Sequence, residues 1–312
     1  LGYRTVTDGD PNCKLKLEGR GFSVYKPNCF LISKHWEQKD HIKYLFNEYG
    51  RRDAELPINA PKNLPLVASI GDSFTFGAMV PIEKNYNYMA FYGEKPKEQS
   101  AVLHNYGVSG EEIDNISSRL RTEDFSQYEY ILYGLTPNDF FYLLETRGFD
   151  ASKKIDKQSF KTWISSSALA SFLSHNLMKN DNVYLNVYTK RKPYSGYLDG
   201  KLSDEWKKSM ELGFLDLYSL PVQIRKKLKI FLLPQKAEVA ASRTGVYSNA
   251  FTDEFYALCK RFGFDCRATD ISDLSNVSYT HFPIDGHLTV EGNKEIATQL
   301  SDWINTWYFK KY

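Results

Sequence analysis

The chain has 312 residues, of which 42% are hydrophobic and 25% are charged. These fractions are typical of a globular protein and exclude a disordered, collagen-like or low-complexity chain. Forty Lys and Arg against 38 Asp and Glu leave a formal charge of +2, so no strong field favours nucleic acid or an anionic membrane. The apolar runs are far shorter than the roughly 20 residues of a membrane-spanning helix. A small neutral substrate fits this composition best.

Residues 1–60 contain scattered Gly, Pro and charged residues without a sustained helical period, apart from a short amphipathic stretch at 41–46. We interpret them as an N-terminal extension packed on a main domain that spans 61–312. In that domain, short apolar runs at 66–70, 102–105, 130–133 and 229–233 each precede a turn signal and predict buried strands. The spacing between them leaves room for crossover helices. The sequence therefore predicts an α/β fold with a parallel sheet covered on both faces.

Two further helical regions are predicted. Ile296, Leu300 and Ile304, with Trp303 and Trp307, form an apolar stripe at helical spacing, behind a helix start at 289–291. An insertion at about 145–228 carries helical pieces at 160–178 and 204–227, with a tyrosine-rich basic stretch between them. Long connections in compact domains are usually functional, so the insertion is a candidate lid or specificity surface.

The four cysteines fall into two local pairs, Cys13 with Cys29 and Cys259 with Cys266. Local pairs are compatible with an oxidising compartment, although four cysteines allow three connectivities and reduced buried thiols are the alternative. The first residue is Leu rather than Met, which a removed signal peptide or anchor would explain, as would a trimmed chain. We therefore expect an exported protein.

Polar residues that carry chemistry follow the predicted strands, at the edge of the sheet where ligands bind in such folds. Ser73 lies in GDSFTFG (71–77), NYGVSG (105–110) follows the second strand, and PND (137–139) follows the third. DGH (285–287) precedes the last helix. A serine hydroxyl needs a base to remove its proton, and an imidazole oriented by a carboxylate is such a base. Gly-Asp-Ser alone usually marks the N-cap of a helix. The prediction of a serine acyl-transfer site therefore rests on the four blocks together.

These four blocks, in this order, resemble those of the SGNH, or GDSL, hydrolase superfamily over roughly residues 66–307, apart from the central insertion. The resemblance implies a flavodoxin-like three-layer α/β/α sandwich and an esterase or O-acyltransferase that needs no cofactor and no metal. It implies Ser73 as the nucleophile, His287 as the base and Asp285 as the acid that orients it. It also implies an oxyanion hole formed by the N–H groups of Ser73 and Gly107 and the side chain of Asn138.

Two features depart from the family pattern. Phe74 stands where the namesake block has Leu, and GLTPND (134–139) has more residues between Gly and Asn than the usual Gly-x-Asn-Asp. The wording GDSFTFG, together with PQK (234–236) at the end of the fourth strand, looks most like bacterial cell-envelope members. Those members add or remove acetyl groups on polysaccharides or peptidoglycan. We therefore expect an acylated carbohydrate or small ester substrate, a periplasmic or cell-envelope location, and a membrane-bound acyl donor as a candidate partner.

Other candidates are weaker. Asp72, Arg51 and His281 are candidate pocket-rim residues, although a helix cap, a solvated turn and a loop residue are their ordinary interpretations. An alternative function is a catalytically weak glycan- or partner-binding module, which the 15% aromatic content and the insertion favour. A nucleotide binder is disfavoured, because neither Gly-x-Gly-x-x-Gly nor a Walker sequence follows a strand. The remaining histidines are assigned to the surface or the core: His35, His41, His104 and His175.

Overall fold

The computed structural model describes residues 6–10, 12–35, 37, 38, 40–53, 64–93, 101–141, 143, 168–188, 198 and 200–308. The strands are β1 (Val6–Gly9), β2 (Lys14–Lys16), β3 (Ser23–Tyr25), β4 (Phe30–Lys34), β5 (Ile42–Leu45), β6 (Leu66–Gly71), β7 (Val102–Asn105), β8 (Tyr130–Leu135), β9 (Leu228–Leu232) and β10 (Asp265–Ala268). The α-helices are α1 (Ser73–Phe76), α2 (Tyr86–Tyr92), α3 (Ile113–Thr122), α4 (Ala168–Met178), α5 (Asp181–Tyr188), α6 (Asp204–Tyr218), α7 (Val222–Lys227), α8 (Lys236–Arg243), α9 (Ala250–Phe262), α10 (Ile271–Ser275) and α11 (Val290–Tyr308).

A parallel five-stranded sheet, in the order β10-β9-β8-β6-β7, forms the middle layer. This is the flavodoxin-like strand order. From β6, the chain adds β7 on one side and then adds β8, β9 and β10 on the other side. The four strands predicted from the sequence are all present in this sheet. The fifth, β10, was missed because it lies at the edge of the sheet and alternates exposed with half-buried residues instead of forming an apolar run.

Helices cover both faces of the sheet, so the predicted three-layer α/β/α sandwich is confirmed. One face packs against α3, α6 and α9, and the other packs against α2 and α11. The stripe predicted for the last helix is buried as expected, since Ile296, Leu300 and Ile304 are each at most 1% exposed. Among the described helices, none has both the length and the apolar character needed to cross a membrane.

Part of the stretch predicted as an insertion belongs to the sandwich itself. Helix α6 contacts both α3 and α9 and contributes Trp206, Met210 and Phe214 to the core of that face. Helices α6 and α7 therefore complete the crossover from β8 to β9, and this part is not a lid. Helices α4 and α5 account for other parts of the stretch. The segments 144–167 and 189–197, which include most of the tyrosine-rich basic stretch, lie outside the described residues.

The N-terminal segment, 6–53, forms two small antiparallel sheets, β1-β4-β5 and β2-β3. The helical pattern expected at 41–46 is wrong, because Ile42–Leu45 forms strand β5, in which Tyr44 is buried between two exposed residues. A disulfide joins Cys13 and Cys29 within the segment. Tyr25 and Phe46 stack with ring centroids 4.2 Å apart, and both rings contact Phe76 of α1. The segment thus packs against the helix that begins at Ser73.

Arg52 is the polar link between this segment and α1. Its guanidinium is buried and donates to the carbonyl oxygens of Phe76 (2.8 Å), Gly77 (2.6 Å) and Val80 (2.7 Å). It lies 4.3 Å from the centroid of the Tyr44 ring. Burial lowers the pKa of Arg52 to about 10, so the side chain still carries its charge at neutral pH. Arg52 therefore satisfies the Phe76 and Gly77 carbonyl groups at the end of the four-residue helix and joins them to the Val80 carbonyl group of the loop that follows.

Replacing this arginine should destabilise the fold. Arg52→Met keeps much of the side-chain volume but leaves three carbonyl groups without their charged donor, which should lower the free energy of unfolding by about 3 kcal/mol. Urea unfolding followed by circular dichroism measures the change. Arg261→Met, which removes an exposed guanidinium paired with Glu211, is the matched control and should have little effect. Equal stability of the two variants would contradict the assigned role of Arg52.

Candidate active site

The first element of the site is the turn from β6 to α1. Strand β6 ends at Gly71, Asp72 is the N-cap, and α1 begins at Ser73. Gly71 has no room for a side chain, because a Cβ atom there would lie 2.3 Å from Thr75 Oγ1 and 2.8 Å from Gly134 O. The close approach of these elements places Ser73 at the carboxyl end of β6, where the strand order reverses.

Ser73, His287 and Asp285 are brought together by the fold. His287 lies on the loop before α11, and its Nε2 is 2.7 Å from Ser73 Oγ. Its Nδ1 is hydrogen-bonded to Asp285 Oδ1, which also accepts from the His287 N–H at 3.2 Å. Because the proton on Nδ1 is donated to the carboxylate, the lone pair on Nε2 faces the serine hydroxyl, which donates to it.

The charges around His287 favour its protonated form. Burial opposes an imidazolium, but the charge of Asp285, its hydrogen bond to the ring and the charge of Asp72 outweigh burial and raise the pKa of His287. For Asp285, burial acts in the opposite direction and is likewise outweighed, chiefly by His287, so that its pKa is lowered to about 2. Asp285 is therefore ionised at neutral pH and can stabilise an imidazolium formed beside it.

Asn138 lies in the 3₁₀ turn Pro137–Phe140, which follows β8. Its Nδ2 donates to Asp72 Oδ2 (2.9 Å), and its Oδ1 accepts from Thr136 Oγ1 (2.7 Å) and Gln235 Nε2 (2.6 Å). These three bonds fix the orientation of the amide. The second N–H of Asn138 has no acceptor among the described residues and is left for a ligand.

Asp72 is not a rim residue. It is only 1% exposed, and its carboxylate accepts hydrogen bonds from Phe74 N (2.8 Å), Asn138 Nδ2 and Thr136 Oγ1 (3.3 Å). Burial raises the pKa of Asp72, and the three hydrogen bonds act against that rise. Asp72 thus holds the turn that carries Ser73 and the amide of Asn138 in one arrangement.

The Gly107 N–H is not available as the oxyanion donor that the resemblance implies. It donates to Asn105 Oδ1 at 2.8 Å inside a buried turn. A Cβ atom at Gly107 would lie 2.2 Å from Phe76 N, so close packing on α1 accounts for this glycine. Three residues later, Gly110 has a φ of 78°, and its N–H has no acceptor within the described part of the chain. Gly110 is therefore the glycine of this loop whose amide remains for a ligand.

Arg51 is engaged in contacts of its own. Its Nε donates to Asp53 Oδ2 (3.0 Å), and its Nη1 donates to the hydroxyl groups of Tyr106 (3.0 Å) and Tyr128 (3.3 Å). No contact with Ser73 or His287 is present in the described structure, so the expected rim position has no support in these contacts.

His281 is buried beside a different cavity. This cavity has a volume of about 150 Å³ and is lined by Lys236, Arg243 and His281 among others, but neither Ser73 nor His287 lines it. Burial lowers the pKa of His281 to about 3, which leaves the ring neutral. No three His, Cys, Asp or Glu side chains in the described ranges form a group that could hold a metal ion.

Sequence reasoning missed Gln235 and Glu37, and it assigned His35, whose Nε2 lies 3.9 Å from Asp285 Oδ2, to the surface or the core. Gln235 orients Asn138 from the end of β9. Glu37, from the N-terminal segment, accepts hydrogen bonds from the backbone N–H groups of Ile284 (3.0 Å) and Asp285 (2.8 Å). Gln235 belongs to the PQK block that carries part of the resemblance, whereas no sequence signal links Glu37 with a residue 248 positions away.

No protein-family model matches the chain, and no curated protein sequence matches it. Solved structures do. AlinE4, a SGNH-hydrolase family esterase, is 13% identical, with a TM-score of 0.35 over 66% of this chain and 77% of its own. A catalytic mutant of Axe2, an acetylxylan esterase from Geobacillus stearothermophilus, is 12% identical, with a TM-score of 0.40 over 75% and 91%. A member of the lipolytic G-D-S-L family from Veillonella parvula is 11% identical, with a TM-score of 0.40 over 75% and 94%.

The chain is similar to solved SGNH, or GDSL, hydrolases.

The pairing of His287 with Asp285 can be tested by titration. His287 should titrate above the usual histidine value of about 6.5, and Asp285→Asn should lower its pKa because the neutral amide no longer favours the imidazolium. NMR of the His287 ring protons as a function of pH measures both values. Asp302→Asn, a charge change on an exposed position of α11, should leave the pKa of His287 unchanged. An unaltered pKa in Asp285→Asn would contradict the assigned pair.

Proposed function

We propose that this protein is a serine-dependent carboxylic ester hydrolase. The observation that carries the proposal is the 2.7 Å separation of His287 Nε2 from Ser73 Oγ, with the ionised Asp285 on the other ring nitrogen. A serine hydroxyl becomes a nucleophile when a positioned base takes its proton, and an imidazole held in one tautomer by a carboxylate is such a base.

The reaction proceeds in two halves. Ser73 Oγ bonds to the ester carbonyl carbon while its proton passes to His287 Nε2, and the carbonyl electrons move to the oxygen. Collapse of this tetrahedral intermediate breaks the bond to the alcohol, which takes the proton from Nε2 and leaves an acyl-serine. Water then gives a proton to Nε2 as its oxygen bonds to the acyl carbon. The bond from that carbon to Ser73 Oγ breaks, the acid leaves, and Oγ takes the proton back from Nε2. Asp285 stabilises the imidazolium in both halves.

Two donors are in place for the oxyanion. Ser73 is the first residue of α1, so its own N–H has no partner within the helix. Asn138 supplies the N–H that it does not give to Asp72. The Gly110 amide is the candidate for a third donor, in place of Gly107. Such donors act in the transition state because they are oriented before the charge forms.

We infer that the substrate carries a short acyl group, most simply acetyl, on a carbohydrate hydroxyl. What supports this finer assignment is the resemblance of GDSFTFG (71–77) and PQK (234–236) to cell-envelope members of the superfamily. If a sugar hydroxyl replaces water in the second half-reaction, the same acyl-serine makes the protein an O-acyltransferase. The balance between the two outcomes depends on acceptor binding and water exclusion.

We also infer that the protein is exported to a periplasm or cell envelope. Two disulfides support this location, Cys13–Cys29 and Cys259–Cys266, with Cα atoms 5.9 and 6.2 Å apart. Disulfides persist in oxidising compartments and are rare in the cytosol. In such a compartment, a membrane-bound acyl donor would be the partner of a transferase.

The aromatic content gives little support to the binding-module alternative. Among the aromatic side chains whose exposure the structure describes, the most exposed are Phe30, Tyr49, Tyr218 and Tyr256, at 40–67%, and they lie on different elements or turns. The other described aromatic rings are buried or half-buried, and many pack against one another in the cores.

Removal of the nucleophile tests the proposal directly. Ser73→Ala should reduce kcat/KM for p-nitrophenyl acetate by at least about a thousandfold, because no other group forms the acyl intermediate. The same variant should lose covalent labelling by a fluorophosphonate probe. Mass spectrometry of an added oligosaccharide shows whether acetyl is transferred or released as acetate.

Ser209→Ala is the matched control, since Ser209 is a buried helical serine of α6. It should keep both activity and labelling. Full ester hydrolysis by Ser73→Ala would refute the proposal. A wild-type protein that neither hydrolyses esters nor reacts with the probe would favour the binding module.

Asn138→Ala should lower kcat by about a hundred- to a thousandfold and change KM little, because its amide contacts the oxyanion and not the ground-state ester. Steady-state kinetics with p-nitrophenyl acetate separates the two parameters. Gln235→Ala, which keeps Asn138 but removes a bond that orients it, should show a smaller loss. A decrease in kcat of twofold or less in Asn138→Ala would contradict the assignment of Asn138 to the oxyanion hole.

A further inference from the structure

The carboxylate of Glu37 holds the backbone beneath the triad acid. Its side chain has no exposed surface. Oε1 accepts from the N–H of Ile284 at 3.0 Å, and Oε2 accepts from the N–H of Asp285 at 2.8 Å. One carboxylate thus binds two successive amides of the loop that carries Asp285, and hydrogen bonds of amides to an ionised acceptor are among the stronger ones in proteins.

An imidazole from the same segment faces the side chain of Asp285. His35 Nδ1 accepts from the Glu37 N–H at 3.3 Å, which places the proton of a neutral His35 on Nε2. That nitrogen is 3.9 Å from Asp285 Oδ2. The other carboxylate oxygen of Asp285, Oδ1, is the one bonded to His287. His35 therefore lies on the side of Asp285 opposite to the catalytic imidazole.

Other charged and titratable groups also surround Glu37. His175 Nδ1, from α4, is 3.0 Å from Oε1. Burial lowers the pKa of Lys236 and raises that of Tyr279, and the charge of Glu37 acts to raise both. The Glu37 carboxylate is therefore close to basic side chains of α4 and α8 as well as to His35 and Asp285.

We propose that Glu37 and His35 are positioning residues for Asp285, so that the N-terminal segment completes the triad. This inference rests on the proposed function. Glu37 fixes the backbone from which the Asp285 side chain extends, and His35 limits rotation of its carboxylate. Replacement of a group that orients a catalytic side chain in this way commonly lowers activity, although the group does not touch the reacting atoms.

Glu37→Gln tests this role. Glutamine has the same length but a single acceptor oxygen, and its NH₂ group would face one of the two backbone N–H groups. The loop should then shift and weaken the bond between Asp285 and His287. We expect kcat for p-nitrophenyl acetate to fall by about ten- to a hundredfold with little change in KM. The NMR-derived pKa of His287 should fall, and the acid limb of the kcat/KM profile should move to lower pH with it.

Three companion variants make the test specific. Glu37→Asp retains the charge and both acceptor oxygens, so it should lower the pKa of His287 less than Glu37→Gln does. His35→Phe removes the Nε2–H and should lower that pKa by a smaller amount. Asp10→Asn is the control, because this carboxylate also accepts a backbone N–H (Asn12, 2.8 Å) but its contacts lie within the N-terminal segment. It should leave kcat and the pKa of His287 unchanged.

Thermal unfolding separates positioning from a general structural role. If Glu37→Gln lowers Tm but leaves the pKa of His287 and the kcat of the folded protein unchanged, the inference is overturned. If Glu37→Gln does not fold, Glu37→Asp and His35→Phe decide by the same two readouts. The NMR titration needs no substrate, so it decides the inference even when the wild-type protein fails to hydrolyse esters, a result that would count only against the proposed function.

Discussion

The hydrogen bond between Ser73 and His287 joins residues 214 positions apart, and the rest of the site exists to maintain it. The serine is fixed by a turn too tight for a side chain at Gly71. The histidine is fixed by a loop that closes on itself, where His281 pairs with Leu288 and Thr289 N–H donates to the Thr280 carbonyl at 2.9 Å. Because helix α11 begins directly after this loop and packs on the sheet, its apolar stripe anchors the loop that carries His287.

Three carboxylates surround this bond, and their environments give them different tasks. Asp285 has its pKa lowered by the His287 imidazole and is the charged hydrogen-bond partner of that ring. Asp72 has its pKa raised by burial and serves as an acceptor for the serine turn and Asn138. Glu37 accepts hydrogen bonds from two backbone N–H groups of the loop that carries Asp285. Chemically identical groups are thus distinguished by the donors that the fold presents to them.

Much of the fold could be predicted because its central strands are short apolar runs ending in glycine or proline, as at 66–70 and 229–233. The edge strand β10 gave no such signal, since one of its faces is solvated. Within the site, Ser73, Asn138 and His287 are marked by local motifs. The direction of the Gly107 N–H is set by the side chain of Asn105, and the contact of Glu37 with Asp285 is set by tertiary packing. Neither can be derived from local sequence.

The change in sequence pattern near residue 60 suggests a boundary between an accessory segment and a complete α/β domain. Arg52 and Glu37 lie before that boundary. Arg52 donates to carbonyl groups at the end of the helix that begins at Ser73, and Glu37 accepts from N–H groups of the loop that carries His287. Removal of the segment before residue 60 would therefore withdraw one set of contacts from the helix that begins at Ser73 and another from the loop that carries His287, so the segment belongs to the same structural unit as the α/β domain.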